Sequence, residues 1–520
     1  MEKNIKDKEF GKQVIEIGDL IPYEDSVALA EGDVIVPDIK PDIERIVSVD
    51  ATSSVKKCDY QGGALKVSGV IFVNMLYLPE NADDDNKQKL CSINTKFDFA
   101  DEIKIRGTEN PMVTAQSFIR HIDYSLLNSR KFNIKVYVGI CPSISQKSKI
   151  EFLDNNNEES ILEVKKNKVG IYNVICDVKK EIIVSENIEI PQSKGDIGEV
   201  LKFDAFTYGG ECKTMEDKIL VKGNMGISML YITKDSDEEL TSLQADIPFS
   251  DVFNVDGVTE DSLCEVKLLI RDYYFNIKDD INGNPRIVSV EALVDVIIHT
   301  GEILDTSVTE DCYIPGMCSK IEKKQVSANE VLAFENGRIN LKEHIMCDGV
   351  VLSDVYMTTA KPVITEQKIE GGVGMLKGIV ALCVIGKTSD ESCVFETREI
   401  PFEYSVGVKN ECENCYMESY AFIINKNHSL SSGGADVSVS IGINTKVLMP
   451  VSFDAVVSCV ALQEESVDSC NLVIYFVQNG DALWDIAKKY KTTGKKICLA
   501  NNMTEDDQIS PGMKLLIPAV

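Results

Sequence analysis

The sequence predicts a mainly β protein: three tandem antiparallel, β-sandwich-like repeats followed by a small βααβ module. Three observations predict it. Segments of like sequence recur about every 155 residues, Val/Ile-rich runs of strand length fill each copy, and about the last fifty residues differ in both pattern and charge. At 520 residues the chain is too long for one hydrophobic core, and three or four domains are expected.

The repeat shows first in LKVSGVIFVNMLYL from Leu65, ILVKGNMGISMLYI from Ile219 and GMLKGIVALCVIG from Gly374. Their glycines, Gly69, Gly223 and Gly378, are offset by 154 and 155 residues. An alanine precedes each glycine by eighteen positions, at Ala51, Ala205 and Ala360, and an aromatic follows, at Phe99, Phe249 and Phe402. A period this long makes each copy a domain rather than a solenoid unit. Within a copy, runs such as RKFNIKVYVGI, RIVSVEALVDVII and DVSVSIGINTKVLM read as strands, and PENADDDNKQ, TKDSDEEL, DDINGNPR and NKNHSLSSGG read as turns. Many short strands with such breaks give antiparallel sheets with one face buried and one wet. A glycine recurring inside a strand marks a bulge or a close packing approach. The expected domains are 1–151, 160–305, 325–463 and 472–520.

VIYFV is a strand; Asn479, Gly480 and Asp481 form a turn with Asp481 as helix N-cap. Leu483, Ile486, Ala487 and Tyr490 follow helical spacing. A second helix covers roughly Gly494 to Ala500, and a Pro511-Gly512 turn leads into the strand KLLIP. Val473, Tyr475 and Val477 face the module core, so Leu472, Ile474 and Phe476 face outward, joined by Leu516 from the closing strand. Such an apolar row marks a contact surface, for an outside partner or for the third repeat. Trp484, the only tryptophan, lies off the centre of the buried stripe. It either anchors a partner, as tryptophan often does, or packs partly into the module's own core.

Charge separates this module from the rest. The formal charge is −29; from Leu472 to Val520 there are six Lys and five Asp/Glu, leaving −30 on the first 471 residues. An acidic chain of this kind repels nucleic acid and anionic membrane. No run of eighteen apolar residues predicts a transmembrane helix, and MEKNIKDKEFGKQ lacks an export signal. The sixteen cysteines lie mostly inside apolar runs, as buried free thiols do in a reducing compartment. Cys412 and Cys415 form the one C-x-x-C and read as unrelated loop thiols, because no second pair completes a zinc site.

The residues Val477, Gly480-Asp481, Leu483-Trp484, Ile486-Ala487, Ala500-Asn501, Ile509, Pro511-Gly512, Leu515 and Ile517-Pro518 make the module resemble the LysM domain. That resemblance implies a groove for N-acetylglucosamine polymers lined by Gly480, Asp481, Ala482, Asn501 and Met503. Ala482 stands where Ser or Thr is usual, so a hydroxyl that could bond a sugar is missing. Three acidic β-repeats of this kind followed by one LysM domain resemble the clostridial spore-coat morphogenetic family of SipL, whose repeats are SPOCS domains. The resemblance implies a non-enzymatic adaptor in the mother-cell cytoplasm at the forespore surface. Its LysM domain would dock on stage IV sporulation protein A, the coat-basement ATPase, through Trp484, Leu472, Ile474, Phe476 and Leu516. The repeats would meet other coat proteins or copies of the same chain.

No P-loop, H-E-x-x-H or G-x-S-x-G motif is present. His121, His299, His344 and His428 are not at metal-ligand spacing, and Asp83-Asp84-Asp85 reads as a solvated turn rather than a calcium loop. No catalytic residue, metal or cofactor is expected. The alternative function is a cell-wall protein that binds peptidoglycan, weakly or as its main task, in the Gly480-to-Asn501 groove.

Overall fold

The computed structural model describes residues 11–21, 23–80, 90–105, 111–154, 162–234, 239–347, 350–389, 392–408, 414–462, 472–504 and 507–518. The Asp83–Asp85 turn, Cys412 and most of the linker before the terminal module lie outside these residues.

The described chain is mainly β, as expected, and its sheets are antiparallel. Up to Leu462 it falls into three sets of strands with like order. The first set is β1 (Lys12–Leu20), β2 (Ser26–Ile35), β3 (Ile43–Gln61), β4 (Ala64–Pro79), β5 (Cys91–Lys104), β6 (Met112–Asn128) and β7 (Lys131–Leu153). Here β3-β4-β5 form one sheet, and β7 is the centre of another, with β6 on one side and β1 and β2 on the other. The second set is β8 (Glu163–Glu189), β9 (Ile197–Met215), β10 (Lys218–Thr233), β11 (Leu240–Asn254), β12 (Leu263–Asp279) and β13 (Pro285–Tyr313). It builds β9-β10-β11 and β12-β13-β8. The third is β14 (Cys318–Ile345), β15 (Leu352–Glu370), β16 (Val373–Thr388), β17 (Cys393–Gly407), β18 (Tyr416–Ser431) and β19 (Gly434–Leu462). It builds β15-β16-β17 and β18-β19-β14.

Within each set the two sheets close over one core. The central strands alternate as a half-buried sheet requires: Phe132, Ile134, Val136, Val138 and Ile140 on β7 are fully buried, as are Val288, Val290, Ala292, Val294 and Val296 on β13 and Val437, Val439, Ile441 and Ile443 on β19. Each such Val, Ile or Phe side chain contributes about 1.5–3 kcal/mol relative to exposure.

The sets are not separate beads. β8 touches β14 through the bridge Tyr172–Asn329, so the second and third sets share one six-stranded sheet. The long strands run past their own sandwiches into a shared cluster, where Ile17 and Phe152 meet Ile171, Val308, Val326 and Ala455. A buried ion pair ties the same two sets: Lys446 of β19 lies 3.4 Å from Glu265 of β12 and 3.3 Å from Glu418 of β18. Strands of 23–29 residues outreach a single sandwich and bury their surplus against the neighbouring set.

The recurrent glycines occupy equivalent places. Gly69 pairs with Phe99, Gly223 with Phe249 and Gly378 with Phe402 across the adjoining strand. In each pair the phenyl ring lies over the glycine, less than 3.0 Å from where a Cβ would stand. On the opposite neighbour each glycine faces a register shift: between Val55 and Lys57, between Tyr208 and Glu211, and between Ile364 and Glu366. Both sequence readings, bulge and close packing, meet at one position. Seven residues after each glycine, Leu76, Leu230 and Ile385 join in a single buried cluster between the sets.

The terminal module is β20 (Leu472–Phe476), α1 (Leu483–Lys489), α2 (Gly494–Ala500) and β21 (Lys514–Pro518), with β20 antiparallel to β21. Val477, Ile486, Ala487, Ile497, Leu515 and Ile517 form its core. Among the described residues no helix is long and apolar enough to cross a membrane.

Candidate functional site

Strand β20 is too short to hide both faces. Val473 and Tyr475 pack toward the module core. The alternate residues Leu472, Ile474 and Phe476 are 52%, 53% and 56% exposed. Leu516 pairs with Ile474 across β21 and is half-buried. The sheet thus gathers all four outward positions on one face, and among the described residues no strand of the three sets covers β20's share of it.

Trp484 is placed elsewhere. It faces the end of β13, where its indole Nε1 donates to Asp311 Oδ2 at 2.9 Å. Lys488, one helical turn on, donates to both oxygens of the same carboxylate at 2.6 and 2.7 Å. The indole meets the Tyr313 ring edge-on, with centroids 5.0 Å apart. Tyr313 itself enters the module core, and its hydroxyl donates to the Thr492 carbonyl at 2.8 Å. Gly316 N–H donates to the Lys491 carbonyl at 2.7 Å, extending the contact into the turn after β13. Partial burial disfavours a charged Asp311, but the bonds from Lys488 and Trp484 outweigh it and hold the carboxyl below its ordinary range. The tryptophan's neighbours therefore include a second-set strand as well as the module core. Asp311 and Tyr313 carry no sequence signal, because nothing in TEDCYIPG points to a module some 170 residues on.

The groove residues have internal duties. Asp481 is not the helix N-cap: Ala482 is, without a side-chain cap bond. The Asp481 carboxylate instead turns back and accepts from Gln478 N–H and the Tyr475 hydroxyl, each at 2.7 Å. The tight Gly480 turn, with φ of 91°, aims it at the strand it has just left. The side chain that does cap a helix is Thr493, accepting from Lys496 N–H at 3.1 Å. Asn501 donates to the carbonyls of Ile497 and Leu516 and accepts from Leu516 N–H, pinning α2 to β21. Gly480 and Ala482 are exposed, and Met503 packs partly against the core. The two polar side chains offered to a sugar are thus tied into the module's own fold.

Other residues singled out in the sequence stay apart. His121, His299, His344 and His428 sit on β6, β13, β14 and β18, each bonded to a side chain of its own surroundings: Asp123, Asp177, Asp436 and Thr358. Cys415 is disulfide-bonded, which corrects its reading as a free loop thiol.

Comparison with known families agrees with the layout. The family model described as SipL, SPOCS domain matches residues 42–127 and 196–278, covering β3 to β6 and β9 to β12. The LysM domain model matches residues 475–518. No curated protein and no solved structure gives a significant match. The chain carries SPOCS domains of the SipL kind and a C-terminal LysM domain, the combination its residues led us to expect. That content is that of a sporulation coat-associated protein with a LysM binding module.

Proposed function

We propose that the chain is a non-enzymatic adaptor of spore-coat assembly, working in the mother-cell cytoplasm at the forespore surface. Its LysM module docks on a protein, stage IV sporulation protein A, while the three strand sets form the scaffold behind it. One observation carries this reading: Leu472, Ile474 and Phe476 stay exposed in a row, whereas Asp481 and Asn501 are engaged inside the module. An apolar row suits a protein surface, and a groove whose polar groups are already bonded suits a sugar poorly. Trp484 serves to seat the module on β13, so the row and not the indole is the docking face. The shared Gly–Phe pairs and strand order support treating the three sets as copies of one unit.

The test is capture from sporulating-cell lysate by the full chain, set beside sedimentation with purified peptidoglycan. Capture of the coat ATPase that is lost in Ile474→Glu/Phe476→Glu supports the reading. Sedimentation with peptidoglycan and no capture would replace it with the wall-binding alternative.

A further inference from the structure

The three small sheets leave a cleft where the sets converge. It measures about 630 Å3, and Ala51, Ala205 and Ala360, the alanines at equivalent positions, all stand on its wall. A methyl group at each of these places leaves open a space that larger side chains would fill. The size is that of an ordinary small-molecule site.

Two features of the wall identify a ligand class. The first is its rings. Phe72 and Tyr273 stack with centroids 6.2 Å apart, and Phe206 stands on another part of the lining. The second is its charge. In a chain of net charge −29, this wall carries five lysines against three aspartates. Lys202 is paired with Asp50 and Asp204, and Lys179 with Asp295. Lys96, Lys361 and Lys426 form no ion pair among the described residues, and Lys96 holds its ammonium 4.6 Å from the Phe72 ring centroid. Lys361 donates to the Ala51 carbonyl at 3.1 Å. Lys426 donates to the Thr358 carbonyl and holds its ammonium 4.8 Å from the Phe206 ring centroid. Burial lowers the Lys426 pKa to about 8 against the opposing pull of Asp204 and Asp246. A largely buried ammonium with no carboxylate at ion-pair distance is further stabilised by an anion that arrives beside it.

We propose that this cleft binds one small organic anion with a flat ring system, its carboxylate, sulfonate or phosphate meeting Lys361 and Lys426 and its ring lying against Phe206 and Phe72. Large polyanions are excluded by the size of the space and the acidity of the surrounding surface. The site is formed by all three sets together, so occupancy couples to how they are seated on one another.

The experiment is a fluorescence titration of the full chain with two dyes of like ring system, anionic 1-anilinonaphthalene-8-sulfonate and uncharged N-phenyl-1-naphthylamine. The expected result is one sulfonate dye per chain, bound at least tenfold more tightly than the neutral dye. Lys361→Glu, at an exposed position, is expected to weaken the sulfonate dye at least tenfold and leave the neutral dye unchanged. Phe206→Ala is expected to weaken both. Leu472→Ser/Ile474→Ser/Phe476→Ser, which removes the exposed row of the terminal module, is expected to change neither. Equal affinity for the two dyes, an unchanged sulfonate titration in Lys361→Glu, or loss of dye binding in the row variant would each overturn the proposal. The Lys361 variant separates site loss from misfolding, since thermal unfolding of that protein is expected to match the parent.

Discussion

Trp484 and Asp311 are 173 residues apart in the chain, yet the indole donates to the carboxylate at 2.9 Å. Lys488 shares that carboxylate, so one helix of the terminal module presents both an aromatic and a cationic donor to a single acidic residue at the end of β13. The contact fixes the module to the second strand set and leaves its opposite requirement, an exposed apolar row, for something else.

Asp311→Ala removes the acceptor of both donors. Hydrogen bonds to a charged group are worth about 1.5–3 kcal/mol, less where water reaches them. Because Trp484 is the only tryptophan, its emission reports the contact directly. The expected outcome is a red shift and stronger acrylamide quenching, with the far-ultraviolet circular dichroism unchanged. Unchanged emission would mean that the seating does not persist in solution.

The exposed row gives the opposite profile. Ile474→Glu and Phe476→Glu touch side chains more than half in solvent, so stability is expected to move by no more than about 0.5 kcal/mol. Partner capture is expected to be lost. A folded variant that still captures the partner would exclude this face.

Asn501→Ala deprives the Leu516 N–H, the Leu516 carbonyl and the Ile497 carbonyl of a partner at one stroke. A cost of about 2–3 kcal/mol is expected, read as earlier thermal unfolding of the module by Trp484 fluorescence. Loss of any binding in this variant therefore reports on folding before it reports on sugar.

Gly378→Ala pushes a methyl group into the Phe402 ring and the Val363 carbonyl. Overpacking of this kind costs about 1–3 kcal/mol. Combining it with Phe402→Leu is expected to recover part of the loss, so the double change costs less than the two single changes added. Strict additivity in denaturant unfolding would show that ring and glycine are independent.

Acid is expected to loosen the second set from the third. Burial works against a charged Glu265, but Lys267 and Lys446 outweigh it and hold its carboxyl at about 2, against an ordinary 4.5. A depressed carboxylate contributes stability that is present above the unfolded value and is lost as pH falls through the folded one. Stability should thus decline between about pH 4.5 and 2. Glu265→Gln is expected to flatten that decline in pH-dependent urea unfolding; an equal slope in both proteins would assign the acid sensitivity to other carboxylates.

The local rules are written in the order of the residues. Alternating Val and Ile on β7, β13 and β19 dictates strands with one buried face, because successive strand residues point to opposite sides. The βααβ order of the module followed from helical spacing at Leu483, Ile486, Ala487 and Tyr490, and the row at Leu472, Ile474 and Phe476 from period-two alternation. Even the glycines were legible, since a strand tolerates Gly69 or Gly378 only where something lies close. Which partners these elements meet is set by packing in three dimensions. That Asp481 bonds Tyr475 rather than capping a helix depends on the angle of one turn. That the second and third sets share a sheet depends on where strands longer than one sandwich run out of their own core. That Trp484 finds Asp311, and that Ala51, Ala205 and Ala360 open onto one cleft, depends on contacts between residues more than 150 positions apart. Local propensity acts over a few residues; burial and charge pairing act through space, and no spacing in the chain encodes them.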